Sequence, residues 1–198
     1  MIKTTTYDLT ITLLTPLLGS QPSHDIAEEF IAKRNNIVLP DDESLMLPEL
    51  VERGTSIFHR LPDGSPCLFN YHLLGFLKEA GRVLNGKSNG VKNLRSKIAM
   101  YTTVTPRIIP LMLPAGESID YYERPLRVDG AFGPRVTIAR SEMIPARTTL
   151  KVGLEIIESE ITEDVLNDLL SFGYSHGLGQ WRGSGAFGTF TYSLKKEV

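Results

Sequence analysis

Cysteine, tryptophan and long apolar runs are scarce in this sequence, and each scarcity excludes a class of protein. The chain of 198 residues has one cysteine, Cys67, and one tryptophan, Trp181. A single cysteine excludes an internal disulfide framework and a cysteine-built metal site. The longest apolar runs, such as Ile108–Leu113 with Pro110 inside it, are far shorter than the roughly 20 residues of a membrane span. No apolar stretch follows Lys3 near the N-terminus, so we expect no secretory signal and a soluble, cytoplasmic protein.

The chain also lacks a strong excess of charge of either sign. It has 21 lysines and arginines against 23 aspartates and glutamates, so its formal net charge is −2. This balance argues against a protein that coats nucleic acid with its whole surface, but it is compatible with a local basic patch. Hydrophobic residues make up 41% of the chain, which excludes a disordered tail, a collagen and a coiled-coil rod. Length and composition therefore predict a single globular domain that spans residues 1–198.

Hydrophobic spacing predicts a β-α-β-β-α-β order with insertions. Alternating polar and apolar residues predict strands at Tyr7–Leu13, Thr149–Ile157 and Phe187–Leu194. Apolar residues at three- and four-residue spacing predict helices at Asn70–Leu84 and Thr162–Phe172. The predicted fold class is α+β, ferredoxin-like (RRM-like), with the three strands in one antiparallel sheet and both helices on one face.

The remaining segments are less regular. We predict a short helix at His24–Asn35, a second strand at Tyr101–Ile109 continued by an edge strand at Ile108–Leu113, and a hairpin or long loop at Leu126–Ile138. Residues 36–66 are rich in proline, glycine and acidic side chains, which predicts an insertion with little regular structure. We expect its apolar side chains to contact a second copy of the chain or the body of the domain. These apolar residues are Leu45, Met46, Leu47 and Phe58.

A glycine-rich segment before the last strand is the most unusual stretch of the chain. Its glycines permit positive φ angles and a close approach of the backbone to a ligand. Consecutive N–H groups in such a loop can hold an anion, Arg182 offers donors matched to phosphate, and Trp181 offers a stacking face. The segment follows a helix, precedes a strand and lacks Gly-Lys-Ser/Thr, which excludes a dinucleotide-binding fingerprint and a Walker-type loop. The candidate ligand-binding residues here are Gly177, Gly179, Gln180, Trp181, Arg182, Gly183, Ser184 and Gly185.

This segment resembles the C-terminal glycine-rich signature of the RAMP superfamily, the RRM-like subunits of CRISPR ribonucleoproteins. That signature runs Gly-x-Gly, a short spacer, then Gly-aromatic-Gly before a closing strand. Here Gly177-Leu178-Gly179 is followed by Gly185-Ala186-Phe187-Gly188, in which Ala186 departs from the family pattern. Ser141–Leu150 resembles the glutamate and proline-turn entry to a strand in backbone-type members, which often have glycine where Arg147 stands. The resemblance implies a ferredoxin-like fold and RNA binding within a larger assembly.

Two basic sets are further candidates for phosphate contacts. Between Lys78 and Lys97 six basic residues stand against one acid, Glu79, which predicts a flexible basic loop that follows a phosphate backbone. The alternative is a solvated loop whose charge is balanced elsewhere. A looser arginine set surrounds Gly130–Gly133, and the alternative there is surface pairing with acids such as Glu142. The candidates from the two sets are Lys87, Lys92, Arg95, Arg127 and Arg135.

The histidines allow a different class of function. None has the spacing of a metal site, so we predict no metal and no other cofactor. Ribonuclease members of the superfamily that this chain resembles often use a histidine as general acid–base, since its pKa lies near neutrality. His176 and His72 are the candidates, against the common case of a purely structural histidine. The acidic run Asp41–Glu43 could hold a divalent cation, but its position in the insertion favours plain solvation.

The sequence therefore supports three hypotheses about function. The first is a non-catalytic protein that binds single-stranded RNA or a nucleotide-like phosphate ligand, in an oligomer or larger assembly. The second is a metal-independent endoribonuclease with a histidine general acid–base. The third is a structural or assembly protein, which could be virus-encoded, that reuses the fold. The candidate stacking residues for the first hypothesis are Trp181, Phe132, Tyr101, Tyr121 and Tyr122.

Overall fold

The computed structural model of the chain describes residues 3–22, 55–130 and 133–197, with the backbone alone for 126–130 and 133–137. Several predictions of the sequence analysis fall outside these residues. They are the helix at His24–Asn35, residues 36–54 of the insertion with Asp41–Glu43, Leu45, Met46 and Leu47, and the stacking candidate Phe132.

The described residues form ten strands and three α-helices. In chain order these are β1 (Thr4–Leu13), β2 (Leu17–Leu18), β3 (His59–Arg60), β4 (Pro66–Phe69), α1 (Asn70–Val83), α2 (Leu94–Tyr101), β5 (Thr102–Thr105), β6 (Ile108–Pro110), β7 (Asp120–Gly130), β8 (Gly133–Ile144), β9 (Thr149–Ile157), α3 (Glu163–Ser171) and β10 (Phe190–Lys196), with a 3-10 turn at Phe172–Tyr174. The strands pair as three sheets, in the orders β10-β1-β9-β5, β2-β8-β7 and β3-β4-β6.

The four-stranded sheet forms one side of the core. β1 lies between β9 and β10 and runs antiparallel to both, so that Leu9 faces Val152 on one side and Leu194 on the other. Alternate residues of β1, from Tyr7 to Leu13, are buried, as the period of two predicts. With helices after the first and third sheet strands, this strand order is that of a ferredoxin-like fold. The predicted fold class and the pairing of the first and last strands are confirmed, although β10 begins at Phe190.

Both predicted helices pack on one face of this sheet. The Phe76 ring of α1 lies 5.0 Å from the ring of Phe190 in β10 and 6.1 Å from the ring of Phe172 after α3. Thr162 caps α3, since its Oγ1 accepts the backbone N–H of Val165 at 3.4 Å. These contacts join α1, α3 and the closing strand through one aromatic cluster.

Helix α2 begins within the predicted flexible basic loop, so that this prediction is wrong for Leu94–Lys97. Asn85 Oδ1 accepts the N–H of Leu94 at 3.2 Å and so satisfies a donor at the start of the helix. Gly81 of α1 permits the close packing, because a Cβ there would lie 2.5 Å from Ile98 Cδ1. Of the predicted strand at Tyr101–Ile109, Tyr101 belongs to α2, Thr102–Thr105 form β5, and Ile108 and Ile109 lie in β6.

Three smaller predictions can also be compared with the structure. The described residues of Leu126–Ile138 belong to β7 and β8, which pair antiparallel up to Gly130 and Gly133, and β6 is an edge strand that contains Pro110. Phe58, within the predicted insertion, is 2% exposed and packs into the core, so it contacts the body of the domain. None of the helices in the described residues is long and apolar enough to cross a membrane.

Candidate nucleic-acid interface

A pocket of about 340 Å³ lies where α1, α2 and the glycine-rich segment meet, and we call it the basic pocket. Four cationic side chains and one carboxylate line it, so that its formal charge is +3. Two of the cations come from α1, one from α2 and one from the glycine-rich segment. The lining residues are Gly75, Lys78, Glu79, Arg82, Arg95 and Arg182.

Helical spacing explains how α1 contributes to the basic pocket. Gly75, Lys78 and Arg82 are three or four residues apart, so they share one stripe of the helix surface. The other side of α1 is anchored in the core, where Phe76 and Leu77 are fully buried. The absence of a side chain at Gly75 leaves open space between the helix backbone and the neighbouring cations.

Arg182 reaches the basic pocket through an ion pair with Glu79. Its Nη2 lies 2.7 Å from Glu79 Oε2, and the two side chains are 38% and 27% exposed. A partly exposed pair of this kind contributes little to stability, but it orients the guanidinium over α1. The glycine-rich segment and the basic set after Lys78, which are a hundred residues apart in sequence, thus meet at one surface.

The glycines of the segment are explained by its own packing. A Cβ at Gly177 would overlap the backbone of Phe187 and Gly188. Gly188 has a φ of +65°, and a Cβ there would overlap the carbonyl of Leu178. Gly179, at a φ of +73°, packs against Leu17 of β2. The close approach that the glycines permit is therefore between parts of this chain, and direct ligand contacts by these glycines stay a prediction.

Gln180 and Trp181 also make contacts within the protein. Gln180 Nε2 donates to Ser56 Oγ at 3.2 Å, and its Oε1 accepts from Ser141 Oγ at 3.4 Å, which ties the segment to β8. The Arg124 guanidinium lies over the ring of Trp181, a residue that is 39% exposed. One face of the predicted stacking residue is thus occupied by a cation–π contact.

The two candidate histidines occupy different environments. His72 Nδ1 lies 3.2 Å from the backbone nitrogen of Phe69 and 3.1 Å from its carbonyl oxygen, and His72 Nε2 lies 3.4 Å from Ser20 Oγ, so both ring nitrogens have polar partners within the protein. Burial is the main cause that lowers the pKa of His72, and the positive charge of Arg182 acts in the same direction. His176 stacks on Phe172 with ring centroids 4.5 Å apart. Both rings are thus held by neighbouring protein groups.

Glu142 is buried, which contradicts the alternative in which it pairs with the arginine set on the surface. Its carboxylate accepts the N–H of Phe58 at 2.8 Å and forms an ion pair with Arg60. A buried carboxylate needs such partners to offset its loss of hydration. The sequence showed a glutamate before the proline turn, but nothing in its spacing pointed to Arg60.

Other acids do pair with the arginine set. Arg140 Nε lies 3.2 Å from Glu123, and Arg147 Nη2 lies 3.7 Å from Glu117. Arg147 has a φ of +66°, which explains why glycine suits this turn.

The remaining candidates do not line the basic pocket. Lys87 and Lys92 are exposed on the connection between α1 and α2, and Ser184 is exposed on the glycine-rich segment. Arg127 of β7 and Arg135 of β8 lie in the hairpin, where the register places Arg127 opposite Val136. In the part of the chain that the structure describes, no group of His, Cys, Asp and Glu side chains could hold a metal ion.

Comparisons with known proteins support the fold. No family model and no curated protein matches this chain. A chain in the cryo-EM structure of the Type III-B Cmr-beta bound to cognate target RNA is similar over 98% of this chain, with a TM-score of 0.58 and 13% identity. This chain spans 61% of the length of that one. Similarity at this identity shows a shared ferredoxin-like architecture.

Proposed function

We propose that this protein is a RAMP-type subunit that binds single-stranded RNA without cleaving it, and that it holds the RNA phosphates in the basic pocket. The observation that carries the proposal is the convergence of four cations from three segments around one carboxylate. Such a surface binds a polyanion by displacing its condensed counterions. The likeness to a chain from an RNA-bound Cmr-beta structure supports both RNA as the ligand and action within a larger assembly.

The shape of this surface favours a strand over a mononucleotide. A second recess of about 180 Å³ shares Arg82 and Arg95 with the basic pocket and extends it toward Asn85 and Asn93. Two adjoining recesses with shared arginines form a trough that can contact successive phosphates. Arginine forks and asparagine amides are suitable donors for phosphate and sugar oxygens.

The proposal contains no catalytic step. A general acid–base must exchange a proton with its substrate, so it needs a ring nitrogen within hydrogen-bond reach of that substrate. Both His72 nitrogens already have partners in this protein, namely Phe69 and Ser20. His176 is stacked on Phe172, with its Nε2 against Gly183.

Charge removal at matched positions tests the proposal. We expect Arg182→Ala to weaken binding of a short single-stranded RNA by about ten- to a hundred-fold, because a charge-assisted hydrogen bond to phosphate contributes roughly 1.5–3 kcal/mol. Adding Arg95→Ala should weaken it further and flatten the dependence of affinity on salt. Fluorescence anisotropy at about 50 and 200 mM salt measures both effects, with thermal melts to verify folding.

The matched control removes two lysines from the other side of the sheet. Lys151→Ala with Lys195→Ala takes away comparable charge from the recess on the open face. We expect this variant to bind RNA within about two-fold of the wild type, since general charge attraction is screened by salt. If the double lysine variant lost as much RNA affinity as the double arginine variant, the interface would not be localised to the basic pocket. An unchanged RNA affinity of Arg182→Ala at both salt concentrations would also contradict the proposal.

A further inference from the structure

Four aromatic rings lie in a row at the start of α1, and we call them the aromatic row (His59, Phe69, Tyr71 and His72). His59 of β3 contacts Phe69 edge-on, with ring centroids 4.4 Å apart. Phe69 stacks on Tyr71 at 5.4 Å, and Tyr71 lies 4.4 Å from His72. Because the rings come from two paired strands and the first turn of α1, they are held on rigid elements.

The aromatic row faces solvent at Tyr71. This side chain is 54% exposed, whereas other large rings such as Phe58 and Phe76 are almost fully buried. Ile108, which pairs with Phe69 in the sheet, is also 43% exposed and extends the apolar surface. The row therefore presents an open aromatic surface in addition to its packing contacts.

The aromatic row continues the surface of the basic pocket. Tyr71, Gly75, Lys78 and Arg82 follow one another at spacings of four, three and four residues, so they lie on one stripe of α1. At 1.5 Å per residue this stripe is roughly 16 Å long, which several nucleotides of an extended strand can follow. Arg182 lies over the middle of this stripe, where it pairs with Glu79 and lines the basic pocket beside Gly75 and Lys78.

We propose that the aromatic row is a base-stacking site, where a nucleobase of the bound RNA rests against Tyr71 while neighbouring phosphates occupy the basic pocket. This inference rests on the proposed function and assigns the base contact within it. A cationic trough beside an exposed aromatic ring is the combination that binds single strands, because every base has a face that can stack. An apolar protein segment would leave the four adjoining cations without a partner. A nucleotide strand can contact both the aromatic row, through its bases, and the basic pocket, through its phosphates.

The test separates base contacts from phosphate contacts with two probes. One probe is a short single-stranded RNA, and the other is inorganic polyphosphate, which has the charge but no bases. We expect Tyr71→Ala and Tyr71→Leu to weaken RNA binding by about 5- to 100-fold. Polyphosphate affinity should stay within about two-fold of the wild type. Tyr71→Phe retains the ring and should retain RNA binding.

Tyr174→Ala is the matched control, because Tyr174 is 56% exposed but lies on the 3-10 turn. We expect RNA binding by this variant to equal that of the wild type. Tyr71→Leu retains an apolar side chain at the helix surface, so the test does not depend on whether Tyr71→Ala folds. A thermal melt of each variant identifies any loss of structure.

The outcomes distinguish the two proposals. If Tyr71→Leu binds RNA as the wild type does while Arg182→Ala weakens both probes, the stacking site is wrong and the proposed function stands. If Arg182→Ala changes neither probe, the proposed function fails and the stacking site fails with it. Equal losses of RNA and polyphosphate binding in the Tyr71 variants would assign Tyr71 a structural role and overturn the inference.

Discussion

The open face of the four-stranded sheet and the outer surface of its helices differ in chemistry more than in shape. The open face has a recess of about 730 Å³ in which Asp8 stands directly opposite Lys195, with Lys151 nearby. The basic pocket on the helical side has less than half that volume, but four cations surround its single carboxylate. The larger recess is therefore nearly balanced in charge, and the smaller one is strongly positive. For a polyanionic ligand, the net charge of a recess is a better indication of a binding surface than its volume.

The open face of the sheet also differs from the RNA-binding face of RRM domains, which have a similar fold. RRM domains stack bases on aromatic residues of the open sheet face. Here the recess on that face is lined mainly by threonine, serine, lysine and glycine, with no aromatic ring among its lining residues. The exposed ring that adjoins the basic pocket, Tyr71, lies instead at the start of α1. Our proposal therefore places the RNA contacts on the helical side rather than on the open face of the sheet.

The largest expected effect concerns the segment that positions Arg182 on the helical side. We expect Gly188→Ala to lower the free energy of unfolding by about 2–4 kcal/mol, because the new Cβ combines a positive φ with an overlap onto the Leu178 carbonyl. RNA affinity should fall with it. Chemical denaturation of the wild type and the variant measures the difference.

Gly86→Ala is the control that separates the two causes of the Gly188→Ala effect, which are backbone strain and steric overlap of the new Cβ. Gly86 has a similar φ of +71°, but no atom lies within 4 Å of the Cβ position. This variant should lose only about 1–2 kcal/mol and retain RNA binding. If both glycine variants lost the same stability, the tight packing of the glycine-rich segment would not be the reason for its glycines.

A smaller effect is expected from the single carboxylate of the basic pocket. We expect Glu79→Gln to tighten RNA binding by about two- to five-fold, since a negative charge near the bound phosphates is removed. Asp8→Asn is the control on the open face, where it leaves two lysines without their acid, and it should change affinity by less than two-fold. Anisotropy titrations at low salt compare the two. A gain at Asp8 that equals the gain at Glu79 would remove the distinction between the surfaces.

The smallest effect is a pH dependence of stability at the border of the helical surface. Burial lowers the pKa of His72 in the folded protein, so the unfolded chain takes up the proton first as pH falls. The stability that His72 contributes is complete above its unfolded pKa of about 6.5 and is lost as pH falls below that value. We expect the melting temperature of His72→Gln to decline less between pH 7.5 and 5.5 than that of the wild type. Parallel declines would show that His72 does not titrate in this way.

Local sequence patterns predicted the central sheet well. Alternation in β1 and β9 identified the buried residues, and Thr162 followed by acidic residues marked the start of α3. These signals are reliable because a strand with one buried face needs apolar residues at every second position, and a helix N-terminus favours a residue such as threonine at its cap. The closing strand was found in the same way, but its start was placed three residues early, since the glycine-rich segment occupies those positions.

Tertiary contacts determined the features that sequence patterns missed. Helix α2 has only two buried residues, Leu94 and Ile98, and it exists because Gly81 allows it to pack on α1. That packing brings Arg95 to the basic pocket. Arg182 was recognised from its type and its neighbours, but its pairing with Glu79 joins segments a hundred residues apart. Tyr71 was overlooked because a tyrosine in the first turn of a helix has the same local pattern whether it is packed or exposed.

The position of β1 between β9 and β10 has a consequence for how the chain folds during synthesis. Leu9 pairs with Val152 and with Leu194, so both hydrogen-bonding partners of β1 are more than 140 residues away in the chain. Closing such long loops costs entropy before any contact offsets it, and this slows folding. On the ribosome, β1 is made before both of its neighbours and stays without either of them until β9 emerges. During that interval an amphipathic strand with two unpaired edges can pair with other chains, so protection of β1 at that stage favours a higher yield of folded protein.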